Sequence, residues 1–219
     1  MEKDDIRQGE ARRSADTNSL KSDHDWHSPE YVEDWIASRI HLDEERRPRI
    51  REMLSYSSLR PDEAIHVLDI GGGYGVVTEE VLRAFPLAQV TLQDYSQPML
   101  NSAQERLRRF GTQVSYVLSD LRDPSWVHQV DGPFDLAVSA QVFHNLFDQT
   151  LIGACYHAIA CVLKPGAAFL NYDLVDIVGG ITAQEALLRA AGFRLVECVW
   201  HESRAAHQEA CLVARSVAV

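Results

Sequence analysis

The stretch VLDIGGGYG, Val67 to Gly75, sets an apolar run against one acid and then four glycines. Stripping side chains from the end of a strand lets backbone N–H groups and the start of the next helix come close to the polar groups of a ligand. A dinucleotide fingerprint requires G-x-G-x-x-G, yet the sixth position is Val76 counted from Gly71 and Thr78 counted from Gly73. The pattern present is D-x-G-x-G-x-G, built from Asp69, Gly71, Gly73 and Gly75. Two more acids close later apolar runs. Asp94 ends VTLQD, where a carboxylate can accept hydrogen bonds from both hydroxyls of a ribose, and Asp120 follows VSYVLS. His144, in QVFHNLFDQT, can exchange a proton near neutral pH without a large shift.

Holding these residues together calls for a sheet with helices between its strands. Short apolar runs alternate with amphipathic segments, which predicts an α/β domain with a mainly parallel sheet. Strands are expected near 65–70, 89–93, 113–118, 134–139, 167–172, 193–200 and 208–215, and helices near 75–85, 97–110, 148–163 and 182–191. Gly166 and Gly192 follow two of these helices, where a left-handed residue is wanted. Only HESRAAH separates the last two strands, so they should pair as an antiparallel hairpin. Ahead of the sheet, SPEYVEDWIASRI places Tyr31, Val32, Trp35, Ile36 and Ile40 near one helical face, with Ser28 as N-cap and Pro29 at the first helical position. A second helix, roughly Asp43 to Ser57, turns Ile50, Met53 and Leu54 inward. The chain divides into residues 1–60, a polar tail and helical lid, and residues 61–219, the ligand-binding domain.

The glycine stretch closely resembles the first motif of the class I S-adenosylmethionine (SAM)-dependent methyltransferases, and the later segments follow that family's order from about Ile65 to Arg215. The resemblance implies a Rossmann-like fold with a seven-stranded sheet in the order 3-2-1-4-5-7-6, and SAM lying across the carboxyl ends of strands one to four. Asp94 would hold the ribose. YSQPML resembles the family's D-x-S-x-x-M-L segment and brings Tyr95 and Met99 into the cofactor set. Ser119-Asp120-Leu121 resembles the segment whose acid meets the adenine amino group, with an amide from Leu121. Ser139 and Gln141, at the end of the fourth strand, complete that set. Asp69 is expected to orient the loop and reach the methionine ammonium through water, and Tyr74 either to face the same moiety or to cap the helix start. QVFHNLFDQT resembles the catalytic stretch of phenol-type small-molecule O-methyltransferases, which makes His144 the candidate base with Asn145 beside it. A packing or capping histidine is the alternative.

That family normally carries an extra dimerising and substrate-binding region, whereas about sixty residues precede the glycine strand here. The connection LVDIVGG after the fifth strand is short. Cover over the site must then come from the N-terminal segment, with Trp26, Tyr31, Trp35 and Tyr56 as an aromatic lid or as ordinary core. This restricted architecture motivates a second reaction class, in which SAM is the sole substrate: its amino group attacks its own Cγ, giving azetidine-2-carboxylate and methylthioadenosine. Asn145, Tyr172, Asp173 and the N-terminal aromatics would serve that chemistry. A non-catalytic SAM-binding partner protein is a third reading.

Composition narrows the classes. The chain of 219 residues is 46% hydrophobic, enough to bury a core, and its net charge of -11 disfavours nucleic acid or an anionic membrane as the main partner. No long apolar run and no signal-like start are present, so a cytoplasmic protein acting on a small molecule is expected, as a monomer or homodimer. Cys155, Cys161, Cys198 and Cys211 form no C-x-x-C pair and read as reduced core thiols. Asp148, Asp173 and Asp176 are too scattered to claim a metal site, and the group Asp23-His24-Asp25-Trp26-His27 reads as a solvated tail; no metal is expected.

Overall fold

The computed structural model describes residues 24–204 and 207–216. The expected polar tail, residues 1 to about 25, lies outside them as far as residue 23. Two helices lead: α1 (Pro29–Arg39) and α2 (Asp43–Ser55), joined by a turn of 3₁₀ helix at Ile40–Leu42. Then come β1 (His66–Ile70), α3 (Val76–Ala84), β2 (Gln89–Asp94), α4 (Gln97–Leu107), β3 (Val114–Leu118) and β4 (Phe134–Ala140). The chain finishes with α5 (Gln149–Val162), β5 (Leu163–Leu174), α6 (Gly180–Ala190), β6 (Leu195–Arg204) and β7 (His207–Arg215).

The sheet has seven strands in the order β3-β2-β1-β4-β5-β7-β6, with β7 antiparallel to both neighbours. This is the class I methyltransferase topology expected from the sequence, terminal hairpin included. β1 sits centrally between β2 and β4, which places Asp69 beside Leu92 and Val138. Val67, Leu68 and Ile70 are fully buried, so both faces of this strand lie in the core. One face packs against α1 to α4 through residues such as Val32, Ile50, Met53, Val81 and Leu100. The other packs against α5 and α6 through Ile152, Tyr156, Ile159 and Leu188.

The N-terminal helices form as their sequences dictate. Ser28 accepts the N–H of Tyr31 and Pro29 opens α1, while Ile50, Met53 and Leu54 of α2 are buried. Two expectations need correction. Ile40 is 53% exposed, because α1 ends at Arg39 and the tighter turn that follows carries Ile40 off its apolar face. Cys161 is exposed on the outer side of α5, while Cys155 and Cys211 are buried and Cys198 is half-buried.

The turn from β1 into α3 depends on glycine at specific points. Gly75, the N-cap of α3, has φ +85°, and a Cβ there would stand 2.8 Å from Leu107 Cδ1. It lets α3 and α4 meet closely while the chain reverses. Replacing Gly75 by Ala therefore combines a left-handed backbone with overpacking, and is expected to lower the unfolding free energy by about 1–3 kcal/mol in urea titrations.

Candidate active site

A cavity of about 850 Å³ opens over the carboxyl ends of the strands, within the usual range for small-ligand sites. Its floor is formed by the glycine loop and the ends of β2 to β5, and its roof by α1, α2 and the segment before them. Of the residues singled out in the sequence, Gly71, Gly73, Asp94, Tyr95, Met99, Asp120, Leu121, Gln141, His144, Asn145 and Tyr172 all line it.

Asp94 organises one half of the cavity. Its Oδ2 accepts the N–H of Gly73 at 2.9 Å and its Oδ1 the N–H of Ser96 at 2.9 Å. Burial raises its carboxyl pKa, and hydrogen bonds from backbone amides oppose that rise. The amides fix the carboxylate in place, leaving lone pairs for further donors. Gly73, with φ +53°, has no atom within 4 Å of where a Cβ would stand, so the loop presents open backbone to the cavity. Gln93, 1% exposed, ties the neighbouring strand end together: it accepts from the N–H of Gly71 at 3.1 Å and donates to the carbonyl of Ser119. Its only signal in the sequence is a glutamine placed directly before the acid that ends β2. Asp120 accepts the N–H of Arg122 at 2.9 Å in a tight turn, and Leu121 lies buried beside it.

Asp69, Gly75 and Ser139 do not line the cavity; they lie beneath it. Asp69 is fully buried, its Oδ2 accepting the Thr78 hydroxyl at 2.6 Å while Oδ1 has no hydrogen-bond partner among the described residues. Burial pushes its carboxyl pKa up to about 7, against the opposing pull of Thr78. Ser119 Oγ and Ser139 Oγ are likewise buried without partners among the described residues, so an unmet polar atom lies near the carboxyl end of each of β1, β3 and β4. Tyr74 lines the cavity and donates its hydroxyl to Asp43 at 2.6 Å, which ties the glycine loop to α2.

His144 sits on a 3₁₀ turn, Phe143–Leu146, just beyond β4. Its Nδ1 meets Asp173 Oδ1 at 2.6 Å, and its backbone N–H reaches Asp173 Oδ2 at 3.2 Å. Asp173, at the end of β5, is 1% exposed. An acceptor at Nδ1 holds the proton there and leaves the lone pair on Nε2. The turn is bracketed by two non-glycine residues in the left-handed region, Gln141 at φ +60° and Phe147 at φ +54°. Such strain costs about 1–2 kcal/mol per residue and is characteristic of functional segments. Gln141 is fastened by its N–H to the carbonyl of Tyr172 at 2.7 Å, and its own carbonyl accepts from Asn145 at 3.3 Å. Tyr172 donates to Glu209 at 2.8 Å. Among the described residues, no group of acids, histidines and cysteines could hold a metal ion.

The roof carries aromatics and charge. Trp26 and Trp35 line the cavity, edge to face with ring centres 5.1 Å apart, and Trp35 continues to Tyr74 at 6.0 Å. Tyr31 and Tyr56, expected in the same lid, do not line it: Tyr31 packs behind Trp26, and Tyr56 packs on the core. Sequence reasoning missed Arg39, Arg46 and Arg49, which point from the roof helices to the cavity wall. No helix among the described residues is long and apolar enough to cross a membrane.

Comparison with known proteins agrees with this architecture. Residues 67–166 match the family described as "Methyltransferase domain". A trans-aconitate 2-methyltransferase from Variovorax paradoxus is 38% identical over 46% of this chain and 36% of its own length. An O-methyltransferase family protein from Burkholderia thailandensis superposes with a TM-score of 0.65 at 18% identity, over 83% of this chain and 59% of that one. Phosphoethanolamine N-methyltransferase 2 from Haemonchus contortus, solved with S-adenosyl-L-methionine, gives 0.63 at 16% identity, over 78% of this chain and 52% of its own. The chain spans still less of other curated relatives, 30% of one and 5% of another.

The state of Asp69 has a measurable consequence. The folded protein keeps this proton up to about pH 7, whereas the unfolded chain releases it near the ordinary value of 3.8. The folded state binds more protons between those values, so this group makes the unfolding free energy fall as pH rises through that window. In urea titrations across the window, Asp69→Asn is expected to flatten that slope relative to the parent protein; identical slopes would show that Asp69 titrates normally.

Proposed function

We propose that the protein is a SAM-dependent methyltransferase acting on a small molecule, with His144 as the base that takes the acceptor's proton and Asp173 as the residue that orients it. The observation that carries this reading is the 2.6 Å pairing of His144 Nδ1 with buried Asp173 in a cavity whose other half offers a ribose-type acid and an open glycine loop. SAM, when bound, supplies an electrophilic methyl carbon on a sulfonium.

The chain's own residues divide the remaining work. Asp94 accepts from the ribose hydroxyls, and Asp120 with Leu121 faces the adenine edge. The backbone at Gly73 allows close approach. His144 Nε2 takes the proton of an O–H or N–H as the acceptor attacks, a role worth roughly 10²- to 10⁴-fold in rate. Trp26 and Trp35 cover the cavity against water and present rings suited to a cationic centre. A small acceptor is supported by the limited cavity and by the net charge of -11, which disfavours a polyanionic substrate. The named relatives above act, by their names, on trans-aconitate and phosphoethanolamine.

A second reading is favoured by the aromatic roof and by Asn145 close to His144. The same base could deprotonate the amino group of SAM itself, in a cyclisation to azetidine-2-carboxylate with release of methylthioadenosine. A non-catalytic SAM-binding role leaves the strained histidine turn without a purpose.

Purified protein incubated with SAM and no acceptor separates these readings by mass spectrometry. Intact SAM, followed by methylation of a small acceptor in a screen, supports methyl transfer; equal amounts of methylthioadenosine and azetidine-2-carboxylate would replace it with cyclisation. In the supported case, His144→Ala keeps SAM affinity and loses turnover by roughly 10²- to 10⁴-fold, while Asp94→Ala loses SAM affinity. Unchanged turnover in His144→Ala would return that residue to a packing role.

A further inference from the structure

We propose that Arg46 is an anion-receiving residue of the cavity and that it takes a carboxylate of a bound substrate, an inference that rests on the ligand reading above for its geometry. Arg46 lies on α2, lines the cavity, and is close enough to Tyr74 of the glycine loop for its charge to act on that phenol. Its Nε is buried with no hydrogen-bond acceptor among the described residues.

The contrast with its neighbours is what singles it out. Arg47, the next residue, is paired with Glu79 and Glu80, and Arg106 with Asp43 and Glu79. Around the cavity, Arg49 is paired with Glu202 and lies over Trp200, Arg122 is paired with Asp120, and Arg39 stacks on Trp35. Arg46 has no ion pair among the described residues. A lysine in this position could shed its proton, but a guanidinium stays charged at every working pH, so half-buried Arg46, with its Nε unmatched, is a ready partner for an anion entering the cavity.

Geometry and charge specify the anion. The planar fork of arginine matches a carboxylate in a two-pronged contact. The cavity wall already holds four acids, Glu45, Asp94, Asp120 and Glu209, against four arginines, Arg39, Arg46, Arg49 and Arg122. A carboxylate presented by a ligand adds to that balance through one two-pronged contact with Arg46. With a ribose at Asp94 and adenine at Asp120, the rest of an adenosylated ligand extends toward the glycine loop beneath Arg46. The carboxylate belongs either to the amino-acid end of that ligand or to the acceptor.

Calorimetric titration of the full chain and of Arg46→Gln distinguishes the sources with three probes: S-adenosylhomocysteine, which has the amino-acid carboxylate, methylthioadenosine, which lacks it, and citrate. If the donor supplies the carboxylate, Arg46→Gln binds S-adenosylhomocysteine roughly 10- to 100-fold more weakly and methylthioadenosine unchanged. If the acceptor supplies it, both nucleosides bind as before and citrate binding is lost. No change with any probe, or equal weakening of both nucleosides, overturns the proposal. Arg46→Lys, which keeps the charge and loses the fork, should fall between Arg46→Gln and the parent, and serves as the second variant should Arg46→Gln fold poorly. A parent protein that binds neither nucleoside defeats the SAM reading instead, and the citrate comparison then decides the role of Arg46.

Discussion

Two adjacent carboxylates on α3, Glu79 and Glu80, are 6% and 1% exposed, and a buried carboxylate is tolerable only if it is paired. Everything above the glycine loop is arranged around that requirement. Glu79 meets Arg47 at 2.7 Å, Arg83 at 2.8 Å and Arg109 at 2.8 Å, and Glu80 meets Arg47, Arg83 and Arg51. Burial works to raise the carboxyl of Glu79, yet Arg47 and its companions outweigh that and hold it below the ordinary range. The cations come from α2, from α3 itself and from the 3₁₀ turn that follows α4, so satisfying these acids brings α2 down onto the sheet. The roof of the cavity is thus a by-product of charge neutralisation.

The same network reaches the floor through one side chain. Tyr74 is the only residue of the segment Gly71–Gly75 with a side chain, and its hydroxyl donates to Asp43, which in turn pairs with Arg106 at 3.0 Å. Arg106 lies over the Tyr74 ring at 4.7 Å. Burial and the acid beside it push the phenol up to about 12, so it remains a hydrogen-bond donor throughout the physiological range. Loop and roof are therefore mechanically coupled, and the position of the glycine backbone is set in part by helices that precede it in the chain.

The strands, the helices between them and the strand-end acids were legible in the sequence because they rest on local patterns: alternating apolar runs, glycines at fixed spacing, and acids closing strands; the strand order followed only from the resemblance those motifs carry. The site's chemistry was less so. His144 could be named from its segment, but its partner Asp173 is brought to it by the β4–β5 pairing, and neither the 2.6 Å contact nor the left-handed Gln141 and Phe147 has a local signature. Asp69 and Ser139 stand in the expected strand positions, yet the pleat turns them beneath the cavity floor. Arg46 was invisible for a different reason: in RRPRIRE it looks like one more solvated cation, and only the paired state of its neighbours distinguishes it.

The roof is held by two different physical means. α2 is riveted by buried ions, whereas the segment ahead of α1 rests on rings meeting edge to face, Trp26 on Tyr31 and Trp35, with the Trp26 carbonyl accepting from Ser96. Parting aromatic edges is far cheaper than separating buried charges. Traffic into and out of the cavity would therefore pass on the tryptophan side, and the dwell time of a bound ligand would be governed by ring contacts. Because those contacts carry no charge, exit would be nearly indifferent to ionic strength, even though the frame beside it is built from ions.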